Sequence, residues 1–353
     1  MTINKGLEGV VAAETALSLV DGERGELVIA GYRVAELALN ATFEETVSIL
    51  WDAPWVAGRR AVPESTIALL RDAARDRVDT MDALRMGAGT IRSDAPADVL
   101  AALPTIVAAY WRLLHDREPI APRQDLGHAA NYLYMLSGDV PSAERVRGLE
   151  TYLDTVVDHG LNASTFTARV ITSTGSDLVS AVVGAIGALK GPLHGGAPGP
   201  ALDMVFEIGD AARAEEVLRR KIESGEKLMG FGHRVYKVRD PRADVLAVAA
   251  ERLFRRDGDM HLYELAKSVE ATALRLLEEY KPGRRLQTNV EFYTALLLHG
   301  LGLEVPLFTP TFAISRAAGW VAHCLEQRRA NRIIRPQSVY VGPTGRRWRN
   351  SAA

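Results

Sequence analysis

Apolar positions along this chain follow two patterns, and the second takes over almost at once. Residues 17–34, LSLVDGERGELVIAGYRV, read as short extended pieces around a glycine-rich turn. After them nearly everything has helical period. TFEETVSILW opens with Thr42 and Glu45 in capping-box spacing. APADVLAALPTIVAAYWRLL puts Pro96 in a first turn and holds Pro104 where it can kink or split the helix. SAERVRGLETYLDTVVDHG predicts a helix from about 142 to a glycine stop at 160. Further helices are predicted over about 163–173, 177–189, 198–208, 240–256, 261–280, 288–299 and 310–330. Alternating runs are nearly absent. The fold class is therefore all-α, with at most one small N-terminal β-hairpin.

The longest apolar run is LVSAVVGAIGAL, residues 178–189. It is shorter than a membrane span and suits a buried helix. Ala181, Gly184, Ala185 and Ala188 give it small residues at three- and four-residue spacing, so another helix can approach closely. The pattern fits an intrachain core helix and a subunit interface equally well.

Composition adds four constraints. A chain of 353 residues exceeds what one hydrophobic core usually serves, so two lobes are expected, or a large domain with a smaller one inserted. With 42 basic against 44 acidic residues, general affinity for nucleic acid or anionic membrane is not expected, and any cationic site must be local. Cys324 is the sole cysteine, which excludes an intrachain disulfide and a cysteine-based zinc site and fits a reducing cytoplasm. The opening MTINKGLEGV has no apolar core of signal-peptide length, which also leads us to expect a cytoplasmic protein.

Four segments combine glycine, histidine and charge beyond what helix building requires. In DHGLNASTF, a capping junction accounts for Asn162 and Ser164 but leaves His159 open to a structural or a functional reading. In KGPLHGGAPGP, glycines crowd His194 and favour close approach of a ligand over a plain surface loop. A helix beginning near 198 would set His194 beside a helix N-terminus, whose field favours the neutral ring, a hydrogen-bond donor to a developing oxyanion.

GFGHRVYKVRDPR, residues 230–242, sets His233 among Arg234, Lys237, Arg239 and Arg242. Asp240 and Pro241 read as the N-cap and first position of a helix, so Arg242 opposes the helix dipole. A bound anion resolves that conflict better than a solvated basic patch does, because Gly230, Gly232 and His233 precede it. In TNVEFYTA, Thr288 or Asn289 can cap a helix with Glu291 in its first turn. On position alone Glu291 is a helix stabiliser. Val290, Phe292 and Tyr293 would desolvate it and raise its pKa, as a general base needs. Arg316 and Arg335, taken singly, read as ion-pair partners. Together these residues suit carbon–carbon bond chemistry on a small polyanion. A metal site is not expected, since no close-spaced ligand motif is present and the arginines would repel a cation.

At this point the motifs GLEGVVAAETALSLVDGERGEL, HGLNASTF, GPLHGGA, GFGHRVYKVRDPR, NVEFYTA, SRAAGW and RPQSVYVGP, in this order, resemble the citrate synthase family in its short bacterial and archaeal form. The resemblance implies a mostly helical homodimer with the active site between a large domain, about 1–195 and 298–353, and a small domain, about 196–297. It implies that the 178–189 helix packs against its twin. It implies condensation of acetyl-CoA with oxaloacetate and water to citrate and CoA, with no metal or redox cofactor. By the same resemblance His194 stabilises the acetyl-CoA enol and His233 polarises the ketone. His159, Arg242 and Arg316 grip carboxylates, and Arg335 reaches in from the partner subunit. Gly230, Phe231, Gly232 and Lys237 are implied on the CoA side.

The family's base is normally aspartate, and Glu291 stands in its place. One extra methylene matters, because a reach error of about an ångström can cost on the order of 10²-fold in rate. Two alternatives follow: a 2-methylcitrate synthase using propionyl-CoA, and a weakly active sensor that binds CoA or oxaloacetate.

Overall fold

The structure is a computed structural model. It describes residues 4–7, 9–194, 199–233, 235–257 and 259–346. Arg234 and residues 195–198, drawn on above, lie outside the described residues.

The extended N-terminal stretch forms β1 (Ser18–Asp21), β2 (Glu26–Ile29) and a short β3 (Tyr32–Arg33), antiparallel in the order β1-β2-β3. The expected hairpin thus carries a third strand. Ala30 and Gly31, both at positive φ (46° and 92°), turn the chain back within two residues. Leu19 pairs with Val28, and the alternation sends Leu27 and Ile29 of β2 into the core.

The remaining regular structure is helical, as the periodicity predicts. Across the N-terminal half run α1 (Val34–Asn40), α2 (Phe43–Trp51), α3 (Glu64–Arg75), α4 (Thr80–Ala88), α5 (Pro96–Leu114) and α6 (His128–Ser137). Then come α7 (Ala143–Val156), α8 (Ala163–Ser173), α9 (Leu178–Leu189), α10 (Gly199–Ile208) and α11 (Ala214–Glu223). The last four are α12 (Pro241–Asp257), α13 (Met260–Tyr280), α14 (Val290–Gly300) and α15 (Phe308–Arg329). Thr42 and Glu45 form the reciprocal capping box at α2. Pro96 starts α5, and Pro104 sits inside that helix without ending it. Helices α1, α3, α4, α6 and α11 are additions to the sequence reading.

Two helices organise the interior. α15 is buried nearly all round, from Phe308 through Trp320 to Cys324, and packs on α8, α9, α5, α7, α2 and α4. α5 has the length and apolarity of a membrane span, with mean hydropathy 1.4. It lies against α3, α4, α6 and α15, as a core helix does. α9 packs within the chain on α8, α15 and α4. Gly184 makes the α8 contact possible, since a Cβ there would come within 2.2 Å of Ile171 Cδ1. Its Val179 and Val183 stay half-buried.

One predicted end moves. α7 stops at Val156, and Gly160, at φ 59°, belongs to the following turn. The cause is tertiary: Ser18 Oγ of β1 donates to Asp158 Oδ2 (2.5 Å) and accepts from Gly160 N–H (2.9 Å). The peeled-away segment delivers His159 to the place where α8, α12, α14 and α15 begin.

Candidate active site

A cavity of about 410 Å³ lies at that junction, and His159, His194, His233, Arg242, Glu291 and Arg316 all line it. Six candidate residues spread over more than 150 positions of sequence therefore meet in one place.

His194 follows α9 and points back to the N-terminus of α8. Ser164 N–H donates to His194 Nε2 (3.3 Å), and Ser164 Oγ lies 2.8 Å from the same nitrogen. Trp320 Nε1 of α15 donates to Ser164 Oγ (3.0 Å) and fixes that hydroxyl. Because Nε2 accepts a main-chain N–H, the proton of the neutral ring is on Nδ1. Burial, with Arg316 nearby, lowers the His194 pKa to about 4. His194 meets the N-terminus of α8, held by the Asn162 cap, and the residues 195–198 between it and the helix expected near 198 lie outside the described residues.

His233 has the opposite tautomer. Its Nδ1 accepts from Val235 N–H and Tyr236 N–H, each at 3.0 Å. Its proton is therefore on Nε2, which lies 3.3 Å from Arg242 Nη2. Two N–H donors therefore lie side by side on the cavity wall. Burial, then Arg242, brings the His233 pKa to about 4. His159 is also held neutral: burial pushes it well below the usual value, with Arg242, Arg316 and His233 adding to the effect.

Arg242 is 5% exposed. Asp240 Oδ1 accepts from its N–H and Nε (3.0 Å each), and Oδ2 accepts from Nη2 (2.8 Å). Asp240 Oδ2 also accepts from Val290 N–H (3.2 Å). One carboxylate thus caps α12, aims the arginine and ties α14 to α12. The dipole conflict read from sequence is partly met by this internal anion. Arg239 does not join the site. It pairs with Asp244 (2.5 Å) and with the buried Glu270 (2.8 Å).

Arg316 is 2% exposed. Among the described residues its one hydrogen bond runs from Nε to Val156 O (2.7 Å), and its guanidinium lies 4.6 Å from the Phe312 ring centroid. Burial lowers its pKa to about 10. Its terminal nitrogens remain available to a ligand in the cavity.

Glu291 occupies the first turn of α14 beneath the Asn289 cap, as expected. Burial raises its pKa to about 7, against the opposing pull of Arg242. No hydrogen bond to a described residue claims its carboxylate.

The other expected positions fall elsewhere. Arg335 is exposed on the C-terminal segment and does not line this cavity. Gly230 and Gly232, at φ 87° and 84°, dock the His233 loop on the start of α14: Gly230 O accepts from Asn289 N–H (2.9 Å) and Gly232 O from Asn289 Nδ2 (2.8 Å). A Cβ on Gly230 would come within 2.9 Å of Phe292. Phe231 bridges to Thr288 and packs on Phe292. Lys237 is exposed, and its main-chain N–H donates to Gly22 O at the hairpin tip (2.9 Å). Here these four shape the loop rather than the cavity wall. The supporting residues Tyr236, Ser164 as a histidine partner, Trp320 and Ser18 were not singled out from sequence. Tyr236 lies inside a quoted motif, but only tertiary contact shows its use.

The arrangement can orient a dicarboxylate with two buried arginines, polarise a carbonyl with His233, stabilise a second oxyanion with His194, and remove a proton with Glu291.

Comparison with known proteins agrees. The family model "Citrate synthase, C-terminal domain" matches residues 6–337. The chain is 40% identical to citrate synthase 2 of Bacillus subtilis over 97% of each chain. It is 39% identical to the 2-methylcitrate synthase of Mycobacterium tuberculosis, over 96% of this chain and 91% of that one. Among solved structures, citrate synthase from Pyrobaculum aerophilum superposes with a TM-score of 0.88 at 37% identity, covering 98% of this chain and 94% of that one. The citrate synthase from Thermoplasma acidophilum, solved as a ternary complex with carboxymethyl coenzyme A and oxaloacetate, gives 0.84 at 29% identity and 98% coverage of both. The chain belongs to the citrate synthase family and is an acyltransferase.

Proposed function

We propose that this member of the citrate synthase family condenses acetyl-CoA with oxaloacetate and water, giving citrate and CoA. The observation that carries the reading is the convergence, in one cavity, of an unclaimed carboxylate with two neutral histidines of opposite tautomer and two buried arginines. Arg242 and Arg316, with His159, hold the carboxylates of oxaloacetate. His233 Nε2–H polarises its ketone. Glu291 removes a proton from the carbon next to the thioester, and His194 Nδ1–H stabilises the enolate oxygen so formed. The enol carbon attacks the ketone, and water then hydrolyses the citryl thioester to release CoA. The thioester supplies the activation, so this chemistry asks for no metal or redox cofactor.

Propionyl-CoA, giving 2-methylcitrate, is the second reading. It is favoured by the near-equal identity to a relative of that name. One methylene is worth roughly 1–3 kcal/mol of discrimination in a pocket. The test of both is thiol release from acetyl-CoA and from propionyl-CoA, with and without oxaloacetate. Oxaloacetate-dependent release from acetyl-CoA is expected. Release from neither, by protein that binds oxaloacetate, would make it a sensor.

We also take the protein to be a cytoplasmic homodimer. The half-buried face of α9 and the exposed C-terminal segment carrying Arg335 support an arm that completes the partner's site. The large domain would span about 1–195 and 298–353 and the small domain about 196–297, with Gly230, Phe231, Gly232 and the exposed Lys237 on the side that meets CoA. Light scattering at twice the 38.4 kDa chain mass is the expected result for the dimer, and a monomer would remove that role for Arg335.

A further inference from the structure

We propose that Tyr236 is a positioning residue of this site, its hydroxyl holding His159 and its ring spacing His159 from His233 and Arg242. Tyr236 is 3% exposed and does not line the cavity, so it acts through the residues that do. It touches three of them. Its Oη lies 3.0 Å from His159 Nε2. Its ring centroid is 5.7 Å from that of His159, edge-on at 77°, and 4.9 Å from that of His233. The Arg242 guanidinium lies 5.7 Å from the same ring.

Direction follows from the chemistry of each partner. Burial pushes the Tyr236 phenol above its usual value, so it stays protonated and has one hydrogen to give. Its partner at 3.0 Å is Nε2 of His159, and a neutral imidazole offers one acceptor nitrogen. Nε2 therefore accepts the Tyr236 O–H. Arg242, Arg316 and His233 act on His159, and Arg242 and Asp240 act on Tyr236; among the described residues the Tyr236 hydroxyl makes its one hydrogen bond to His159 Nε2. Through its main chain the same residue donates to His233 Nδ1 and sets the tautomer of that ring.

Tyr236 is itself held from behind. The next residue's N–H donates to Gly22 O, and the hairpin tip lies so close that a Cβ on Gly22 would come within 2.3 Å of Val235 O. One tyrosine, braced by the N-terminal hairpin, thus fixes two histidines and an arginine relative to one another.

The functional part rests on reading the cavity as an oxaloacetate site. Tyr236→Phe keeps the ring and removes the hydroxyl. KM for oxaloacetate should rise about tenfold, the effect of roughly one lost hydrogen bond. Under the same change kcat should fall less than about threefold, and KM for acyl-CoA and Tm should hold. In histidine-labelled protein the ¹⁵N signal of His159 Nε2 should shift in the variant, while that of His194 stays. Unchanged nitrogen signals overturn the hydrogen bond, and a loss of Tm and kcat together with constant KM reduces Tyr236 to a packed core residue. If the wild type neither binds oxaloacetate nor releases thiol, the proposed function fails, and the nitrogen spectra still decide the Tyr236–His159 bond.

Discussion

Glu291 and Glu150 differ less in their electrostatics than in their surroundings. Burial lifts each to about 7, and an arginine opposes the shift in each case, Arg242 for the first and Arg147 for the second. Glu291 stands in the first turn of α14 and faces a cavity with its carboxylate unclaimed. Glu150 lies on α7, 3.2 Å from Arg147 Nη1, among Glu44, Glu45 and Asp154. Arg147 also donates to Ala41 O (2.5 Å) and Ala38 O, so that cluster ties α7 to α1. A raised carboxyl pKa reports burial. Reach to open space and convergent donors decide which such group does chemistry.

The sharpest way to break this comparison is Glu291→Gln, which keeps size and loses the base. It should lower kcat by roughly 10²–10⁴-fold, the usual contribution of a positioned base, with oxaloacetate affinity little changed. Wild-type turnover on both acetyl-CoA and propionyl-CoA would leave Glu291 a helix stabiliser. The pH profile tests the same residue. Glu291 must be ionised to take a proton, so activity should rise as pH climbs through about 7. His194 and His233, held near 4, stay neutral throughout that range.

Next in size is the grip. Arg242→Leu alone would strand the buried Asp240 carboxylate and cost roughly 3–5 kcal/mol of stability. This cost is not legible from the cap alone, because Asp240 also pairs with the Arg242 side chain. Pairing Arg242→Leu with Asp240→Asn removes both charges. Oxaloacetate affinity should then fall about 100-fold with folding retained, in line with losing a buried charged partner. Unchanged affinity by calorimetry would remove Arg242 from the site.

Legibility divides along the same line as the two glutamates. Local rules sufficed for the Thr42–Glu45 box, the Asn289 cap, the all-α class and the glycine-flanked histidines. Motifs also carried Arg316, which periodicity alone leaves as an interior ion-pair partner. What stayed hidden depends on contacts between distant segments. Ser18 meets Asp158 across 140 residues and unwinds the end of α7. Trp320 meets Ser164 across 156 and fixes His194. Arg239 and Arg242, three positions apart, look alike in sequence, and only packing sends one to Glu270 and the other to the cavity.

A smaller effect sharpens the comparison from the side of reach. Glu291→Asp keeps the carboxylate and withdraws it by one methylene toward α14. Nothing in the described chain holds the present carboxylate, so its position is set by side-chain length. We expect kcat to fall about tenfold, part of what an ångström of misplacement can cost. A rise in kcat would mean that the cavity keeps the geometry of the family's usual aspartate.

The smallest effect falls on Glu150, and its sign separates the two carboxyls. The folded pKa of Glu150, about 7, lies above its ordinary value of 4.5. Between those values the unfolded chain has released the proton and the folded chain still holds it. The folded state then binds more protons, so this group's contribution to stability falls as pH rises from about 4.5 to 7 and levels off above. Glu150→Gln has no proton to lose, and its amide oxygen can still accept from Arg147. Relative to wild type, the variant should therefore gain stability from pH 5 to pH 8, by on the order of 1 kcal/mol. Turnover should be unchanged, because Glu150 faces Arg147 and not the cavity. Denaturant melts at the two pH values check the first expectation, and the thiol-release assay checks the second. A variant with wild-type pH dependence of stability would mean that Glu150 is ionised against Arg147 in the folded chain. A loss of turnover would connect the α7 cluster to the chemistry and end the contrast between the two glutamates.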